Sequence, residues 1–329
     1  MTLIMHALFA TVRRRDWVVS LATVIVIVRI AEVCHYHAIK VSEDEGLDAV
    51  SGSPSRIRFE MKESKQLKPL PVPAERIKTT VVMFIPSPIP WAKRREYVYH
   101  EFAKEGWRRE QVVLLFVFGN RTTDTPPTKH LLATNVFVPC SDYGDAYDDT
   151  NDASSTTCKV YEGLRYIVAR FEARYVWRGS DDAYVNLRYF FSSVMPTLPS
   201  SRLYFGRLRT AHKLTDDLLL SNQPRLASLF GLYQFGQYMV GSGYLLSFDV
   251  ADFIGSLKIQ PHLTWCEDVM VGMWLNPFQV TFMHSMQYID QPGQLAKPGT
   301  DYVLIHRMRP DQWASIGRDG RLLHSFERT

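Results

Sequence analysis

The sequence is short of the features that would assign it at once. It has only four cysteines among its 329 residues. Cys34 lies beside an apolar segment near the N-terminus, so Cys140, Cys158 and Cys266 can form at most one bridge among themselves, and the sequence does not choose the pair. There is no CxxC pair and no Cys/His spacing of the kind that holds zinc. There is no dense basic run either: 38 Lys and Arg are scattered among 34 Asp and Glu, for a net charge of +4. Nucleic acid is therefore not an expected partner, whereas a modest positive balance suits a small anion such as a nucleotide. No internal repeat is present. An uninterrupted apolar run of the roughly twenty residues that a membrane span needs is missing as well.

What stands near the N-terminus is shorter but patterned. Arg13, Arg14 and Arg15 precede an apolar stretch from Trp17 to Val28, which Arg29 and Glu32 then interrupt. The stretch reaches spanning length if Arg29 extends its charge to the interface. A buried helix in a soluble protein fits poorly with three arginines just before the apolar run. A signal-anchor with its basic flank in the cytoplasm fits better, and so does a cleaved signal peptide. No clear small-x-small cleavage site follows, which favours the retained anchor. The expected organisation is a cytoplasmic tail over 1–16, a signal-anchor transmembrane helix over 17–33, a stem over 34–75 and a luminal catalytic domain over 76–329. The stem is polar and ends in Lys68-Pro69-Leu70-Pro71-Val72-Pro73, as a spacer does. Asn120-Arg121-Thr122 is an acceptor triplet for N-glycosylation, consistent with a luminal domain.

With 46% hydrophobic and 22% charged residues, the rest is an ordinary globular chain, long enough for one large α/β domain or two small ones. The runs Thr80–Ile85 and Val112–Phe118 predict buried strands of a parallel sheet, with a helix over Ala92–Glu105 between them. Val160, Leu164, Ile167, Val168 and Phe171 recur at helical spacing and predict a helix over Cys158–Phe171. Strands are expected at Arg174–Arg178, Leu203–Gly206, Tyr238–Leu246, Val280–Met283 and Tyr302–Ile305, and helices at Asp249–Leu257 and Glu267–Leu275. The alternation points to an open, mostly parallel sheet flanked by helices.

Three places could carry chemistry. Asp181 and Asp182 follow a predicted strand, where open α/β sheets bind ligands, and paired carboxylates suit a hard divalent cation; Ser-Asp-Asp is also ordinary turn chemistry. Glu267 and Asp268 open a predicted helix. Acids are favoured there by the helix dipole, yet a carboxylate in that place can also take a proton from a hydroxyl as its oxygen attacks. His306 follows an apolar run and is a candidate third ligand, because neutral imidazole binds divalent metals; His284 stands in a similar place and ranks lower.

In chain order these motifs resemble glycosyltransferase family 31, the β-1,3-galactosyl- and N-acetylglucosaminyltransferases. Arg94-Arg95-Glu96 looks like the family's early Arg-Arg motif, and Asp142-Tyr143-Gly144-Asp145-Ala146-Tyr147 is similar to its Asp-Phe-x-Asp-x-Tyr. Lys159 falls where the family has a lysine. Asp181-Asp182-Ala183-Tyr184-Val185-Asn186 resembles Asp-Asp-Asp-x-Phe-Val-Asn, and Gly241-Ser242-Gly243-Tyr244-Leu245-Leu246-Ser247 resembles Ser-Gly-x-x-Tyr-x-x-Ser. Glu267-Asp268-Val269-Met270-Val271-Gly272 matches Glu-Asp-Val-x-x-Gly, and His306 with Pro310 matches a terminal His-x-x-x-Pro. The resemblance spans about residues 80 to 316.

The resemblance implies a nucleotide-sugar-binding, Rossmann-like fold of the type called GT-A. It implies an inverting transfer of a hexose, galactose or N-acetylglucosamine, from a UDP-sugar to a hydroxyl of a glycan on a glycoprotein or glycolipid, forming a β-1,3 linkage. It implies Mn2+ or Mg2+ held by Asp182 with His306, and Asp268 as catalytic base. Arg94, Asp145, Lys159, Asp181 and Glu267 would hold the donor, and the enzyme would sit in the Golgi membrane as a single-pass type II protein. Two departures stand out: Ser180 replaces the first aspartate of the triple, and Asp148–Thr157 is longer and more acidic than the family's stretch before the lysine. The lost aspartate keeps a second reading in view, a catalytically inactive Golgi relative that binds glycans, and the longer segment bears on the match at Lys159. A third, a metal-dependent hydrolase, is also built on paired carboxylates.

Overall fold

Apolar residues two apart set the centre of the fold. In the strand Ile77–Pro86, Val81, Met83 and Ile85 enter one buried cluster, while Val82 and Phe84 enter another. Successive strand side chains point to opposite faces, so this strand is covered on both sides, as a central parallel strand is.

The computed structural model describes residues 70–71, 73–120, 133–142, 155–210, 236–258, 267–289, 300–317, 321 and 323, all within a unit from Glu63 to Thr329. The elements are β1 (Ile77–Pro86), α1 (Ala92–Lys104), β2 (Val112–Asn120), β3 (Ala133–Ser141), α2 (Ser155–Arg170), β4 (Phe171–Gly179), β5 (Tyr184–Val185), α3 (Leu187–Tyr189), β6 (Leu203–Arg209), β7 (Tyr238–Ser247), α4 (Phe248–Gly255), α5 (Glu267–Trp274), β8 (Thr281–His284), β9 (Tyr288–Ile289), β10 (Leu304–Ile305) and α6 (Pro310–Trp313). The expected tail and signal-anchor lie outside the described residues, as does most of the stem. Among the described residues, no helix is long and apolar enough to cross a membrane.

Seven strands form one sheet in the order β3-β2-β1-β4-β7-β6-β8. β1 pairs in parallel with β2 and β4, β2 with β3, and β6 with β8. β7 runs antiparallel to both of its neighbours, β4 and β6. The expected mostly parallel sheet with flanking helices is therefore present. α1 packs on one face through Val98 and Phe102. α2, α4 and α5 cover the other through Leu164, Ile254 and Val271 among others.

This topology gathers the carboxyl ends of the six parallel strands on one edge, together with the amino end of β7. A second sheet, β5-β10-β9, closes on that edge. Its pair Ile305↔Tyr184 sets the residues after β10 beside those just before β5. The strand expected over Tyr302–Ile305 is paired only at Leu304 and Ile305, because Val303 spends its backbone on Gln287 O and Asn186 N outside the ladder. A disulfide joins Cys140 at the end of β3 to Cys158 in the first turn of α2, with Cα atoms 5.9 Å apart. Cys266 lies outside the described residues.

Candidate active site

The edge where β1 and β4 end is built on buried polar side chains. Ser87, just past β1, donates to Asp181 Oδ2 at 2.6 Å. Arg95 on α1 donates to Ser87 Oγ at 3.0 Å, to Ile89 O at 2.6 Å and to Pro88 O. Asp142, just past β3, accepts from Ile89 N at 2.7 Å and Gly119 N at 2.9 Å, which ties the ends of β1 and β2 together. Lys159 on α2 completes this knot: its Nζ lies 2.8 Å from Asp142 O and 3.2 Å from Asp142 Oδ1, and its side chain is almost fully buried. Burial lowers the Lys159 ammonium from its ordinary value, and Asp142 opposes that.

The two arginines of the early motif divide the work. Arg95 is buried and braces the β1 turn. Arg94 is about half exposed (48%), stacks over Trp91 with its guanidinium 4.3 Å from the ring centroid, and reaches 3.6 Å from Asp181 Oδ1 and 3.9 Å from Asp182 Oδ2. Asp181 is buried, and desolvation raises its carboxyl while Ser87 lowers it.

Asp182 is the more accessible member of the pair, with its side chain 22% exposed. Its Oδ1 accepts from Ser180 Oγ at 2.5 Å and lies 3.2 Å from His306 Nε2. Burial acts to raise its carboxyl, but hydrogen bonds from His306 and Ser180 and the charge of Arg94 win, holding it well below the usual range. Arg307 adopts a φ of 57°, in the left-handed region that a non-glycine residue rarely visits. That turn brings Met308 N to 2.8 Å from Asp182 O, so the segment after β10 grips Asp182 by side chain and by backbone.

Asp268 and Glu267 open α5. Asp268 Oδ2 accepts from Gly241 N at 2.9 Å, and its Oδ1 accepts from Val269 N at 2.9 Å. Gly241 lies two residues beyond the Gly179↔Gly243 pair, on the side where β4 runs out into Asp181 and Asp182. Arg178, near the end of β4, carries the fields of both Asp268 and Asp182. The acidic pair, His306 and Asp268 are therefore gathered around the same edge of the sheet. Glu267 is buried against Arg178 Nη2 at 3.0 Å and accepts from Tyr244 OH. Desolvation, opposed by Arg178 and reinforced by Asp268, pushes Glu267 up to about 7.

These contacts place the sequence candidates. Arg94, Asp181, Asp182, His306 and Asp268 stand at the edge. Lys159 and Glu267 lie beneath it, each with its charge committed to a buried partner. Asp145 lies outside the described residues. Asn120 ends β2, and the rest of its triplet is not described. His284 is on the edge strand β8, where its Nδ1 accepts from Leu208 N at 3.0 Å. Sequence reasoning missed Ser87, Arg178 and the role of Gly241; the last two stand next to motifs it did single out.

Residues 93–286 match a family model described as galactosyltransferase. The chain belongs to the galactosyltransferase family. This is the family that the motif order resembles, glycosyltransferase family 31. A hydroxyproline O-galactosyltransferase of Arabidopsis thaliana is 30% identical over 161 residues, which are 46% of this chain and 22% of that protein's length. Beta-1,3-galactosyltransferase 1 of Homo sapiens is 25% identical over 242 residues, 68% of this chain and 70% of that one. Among solved structures, a galactosyltransferase crystallised with donor and acceptor sugar analogues overlaps with a TM-score of 0.37 at 10% identity, covering 70% of this chain and 87% of that one.

The galactosyltransferase edge offers a carboxylate and an imidazole side by side, Asp182 and His306. Among the described residues, no group of three or more His, Cys, Asp or Glu is arranged to hold a metal ion. Two such ligands still fit Mn2+ or Mg2+, whose remaining positions can be taken by phosphate oxygens and water.

Proposed function

We propose that this member of the galactosyltransferase family transfers galactose from a UDP-sugar to a hydroxyl of a glycan acceptor, with inversion and formation of a β-linkage, most simply β-1,3. The observation that carries the reading is the gathering of Asp182, His306 and Asp268 around one sheet edge, with Arg178 in the field of both aspartates. Asp268 takes the proton of the acceptor hydroxyl as that oxygen bonds to the sugar's anomeric carbon. The bond from that carbon to the diphosphate breaks on the opposite side, and UDP leaves. Asp182 and His306 are the residues that would hold Mn2+ or Mg2+, which supplies charge to stabilise the diphosphate as a leaving group. Arg94, poised over Trp91 at the rim, is placed to meet the same anion. A GT-A-type arrangement accords with the parallel sheet whose carboxyl edge carries these groups.

The setting we propose is the Golgi lumen, with the domain anchored by residues 17–33. The Cys140–Cys158 bridge supports an oxidising compartment.

The test is turnover by the full-length chain of a UDP-sugar panel with glycan acceptors, with and without Mn2+. UDP-galactose is expected to be consumed. Asp268→Asn is expected to cut transfer by about 10²- to 10⁴-fold with UDP affinity retained, and Asp182→Ala to weaken metal-dependent UDP binding itself. Full transfer by Asp268→Asn would sink the assignment. The Ser180–Asp182 hydrogen bond, where the family motif has a carboxylate, favours one rival, an inactive glycan-binding relative. That rival expects UDP-sugar to be bound and never consumed.

A further inference from the structure

Arg178 is the penultimate residue of β4, and its side chain is 7% exposed. Its guanidinium contacts two groups on different elements. Nη2 lies 3.0 Å from Glu267 Oε2 on α5, and Nη1 donates to Gly241 O on β7. Gly241 in turn donates its N–H to Asp268 Oδ2 at 2.9 Å. Residue 241 is thus held on one side by the arginine and holds the aspartate on the other.

Glycine leaves room for this approach: a Cβ at position 241 would stand 3.2 Å from Glu267 Oε2, which would have to give by a few tenths of an ångström, while its 3.4 Å to Asp268 Oδ2 is an ordinary contact. Tyr244 OH donates to the other oxygen of Glu267, so that side chain cannot turn away from Arg178. A buried Arg–Glu pair adds little net stability over apolar residues of the same volume. What this pair does supply is a fixed place for Gly241, which stands two hydrogen bonds in series between the arginine and the aspartate.

We propose that Arg178 is a positioning residue for Asp268: by pinning Gly241 and Glu267 together it makes the Gly241 N–H hold the Asp268 carboxylate in the orientation that accepts the acceptor's proton. The proposal rests on Asp268 being the base. The groups facing Glu267 are Arg178 on β4, Tyr244 on β7, Tyr204 on β6 and Asp268 on its own helix. Among these groups Arg178 is the cation that holds the Glu267 carboxyl down against desolvation.

The experiment uses the full-length chain with UDP-galactose as donor, and compares Arg178→Met, Arg178→Lys, Asp268→Asn and the double variant Arg178→Met/Glu267→Gln. The double variant removes both charges together and so protects the fold if Arg178→Met alone fails. In folded protein, kcat of Arg178→Met and of the double variant is expected to fall about 100-fold, the scale of a misplaced catalytic group, with KM for UDP-galactose and UDP affinity by titration calorimetry unchanged. Arg178→Lys keeps the charge without the planar fork and is expected to recover part of kcat. Wild-type kcat in either Met variant, with Asp268→Asn inactive, overturns the proposal and leaves the base assignment standing. If Asp268→Asn keeps wild-type turnover, the base assignment itself fails. A crystal structure of the Met variant then judges the contact alone: Asp268 displaced from Gly241 N supports the clamp, and Asp268 still bound there refutes it.

Discussion

Ser180 donates its hydroxyl to Asp182 Oδ1 at 2.5 Å, while His306 meets the same oxygen at 3.2 Å. The carboxylate that the family motif carries at position 180 would instead repel Asp182. Ser180→Asp should therefore lower the stability of the metal-free chain, by about 1–2 kcal/mol for the lost hydrogen bond and the new like charge. Mn2+ with UDP should restore it, because an added anion strengthens a cation site. Thermal unfolding with and without Mn2+ and UDP reads both effects. A variant that melts like wild type in both conditions would show that the hydroxyl does not support Asp182.

Lys159 reaches Asp142 and not the open edge. Lys159→Met strands a buried carboxylate and should cost about 3–5 kcal/mol, visible in urea unfolding. UDP affinity of the folded fraction should be unchanged. The opposite result, normal stability with UDP affinity lost, would return this lysine to the nucleotide-holding role that the resemblance implies.

Glu267 gives the chain a pH signature. Its carboxyl is raised from 4.5 to about 7, chiefly by desolvation. The folded chain therefore binds more protons than the unfolded one between those values, and this contribution to stability is present below the lower value and lost as pH rises through the upper one. Urea midpoints of wild type should fall from pH 5 to pH 8 more than those of Glu267→Gln. Parallel curves for the two proteins would mean that Glu267 does not titrate in that window.

The Cys140–Cys158 bridge closes a loop of 18 residues in sequence separation. A loop of that size is worth about 3 kcal/mol of chain entropy. Cys140→Ala/Cys158→Ala, or reduction with dithiothreitol, should lower the thermal midpoint by a matching amount, with transfer activity preserved well below it.

Much of this architecture was legible in the chain itself, and the reasons for the exceptions are physical. β1, β2 and α2 announce themselves because burial on both faces, or on one helical stripe, leaves a local pattern of apolar residues. β3 does not. It is the outermost strand, alternates buried Val136, Val138 and Cys140 with exposed neighbours, and contains Pro139, which an edge strand tolerates. Asp182, His306 and Asp268 were readable from motif order. The choice between Arg94 and Arg95 was not, since adjacent residues on a helix point about 100° apart and only packing decides which one is buried. Arg178 was missed for a related reason: within an apolar strand, nothing local shows that its partners lie on β7 and α5, 63 and 89 positions away.

β7 is the strand that runs against the rest of the large sheet. The chain leaves β6 at Arg209 and returns at Tyr238, and these two residues are paired with each other past the edge that holds the aspartates. The stretch between them starts and finishes at one closed gate in the ladder. Because both of its ends are fixed by that one pair, the entropy cost of closing the stretch changes only slowly with its length, and on the proposed function this is where a different acceptor could be met without moving Asp182 or Asp268.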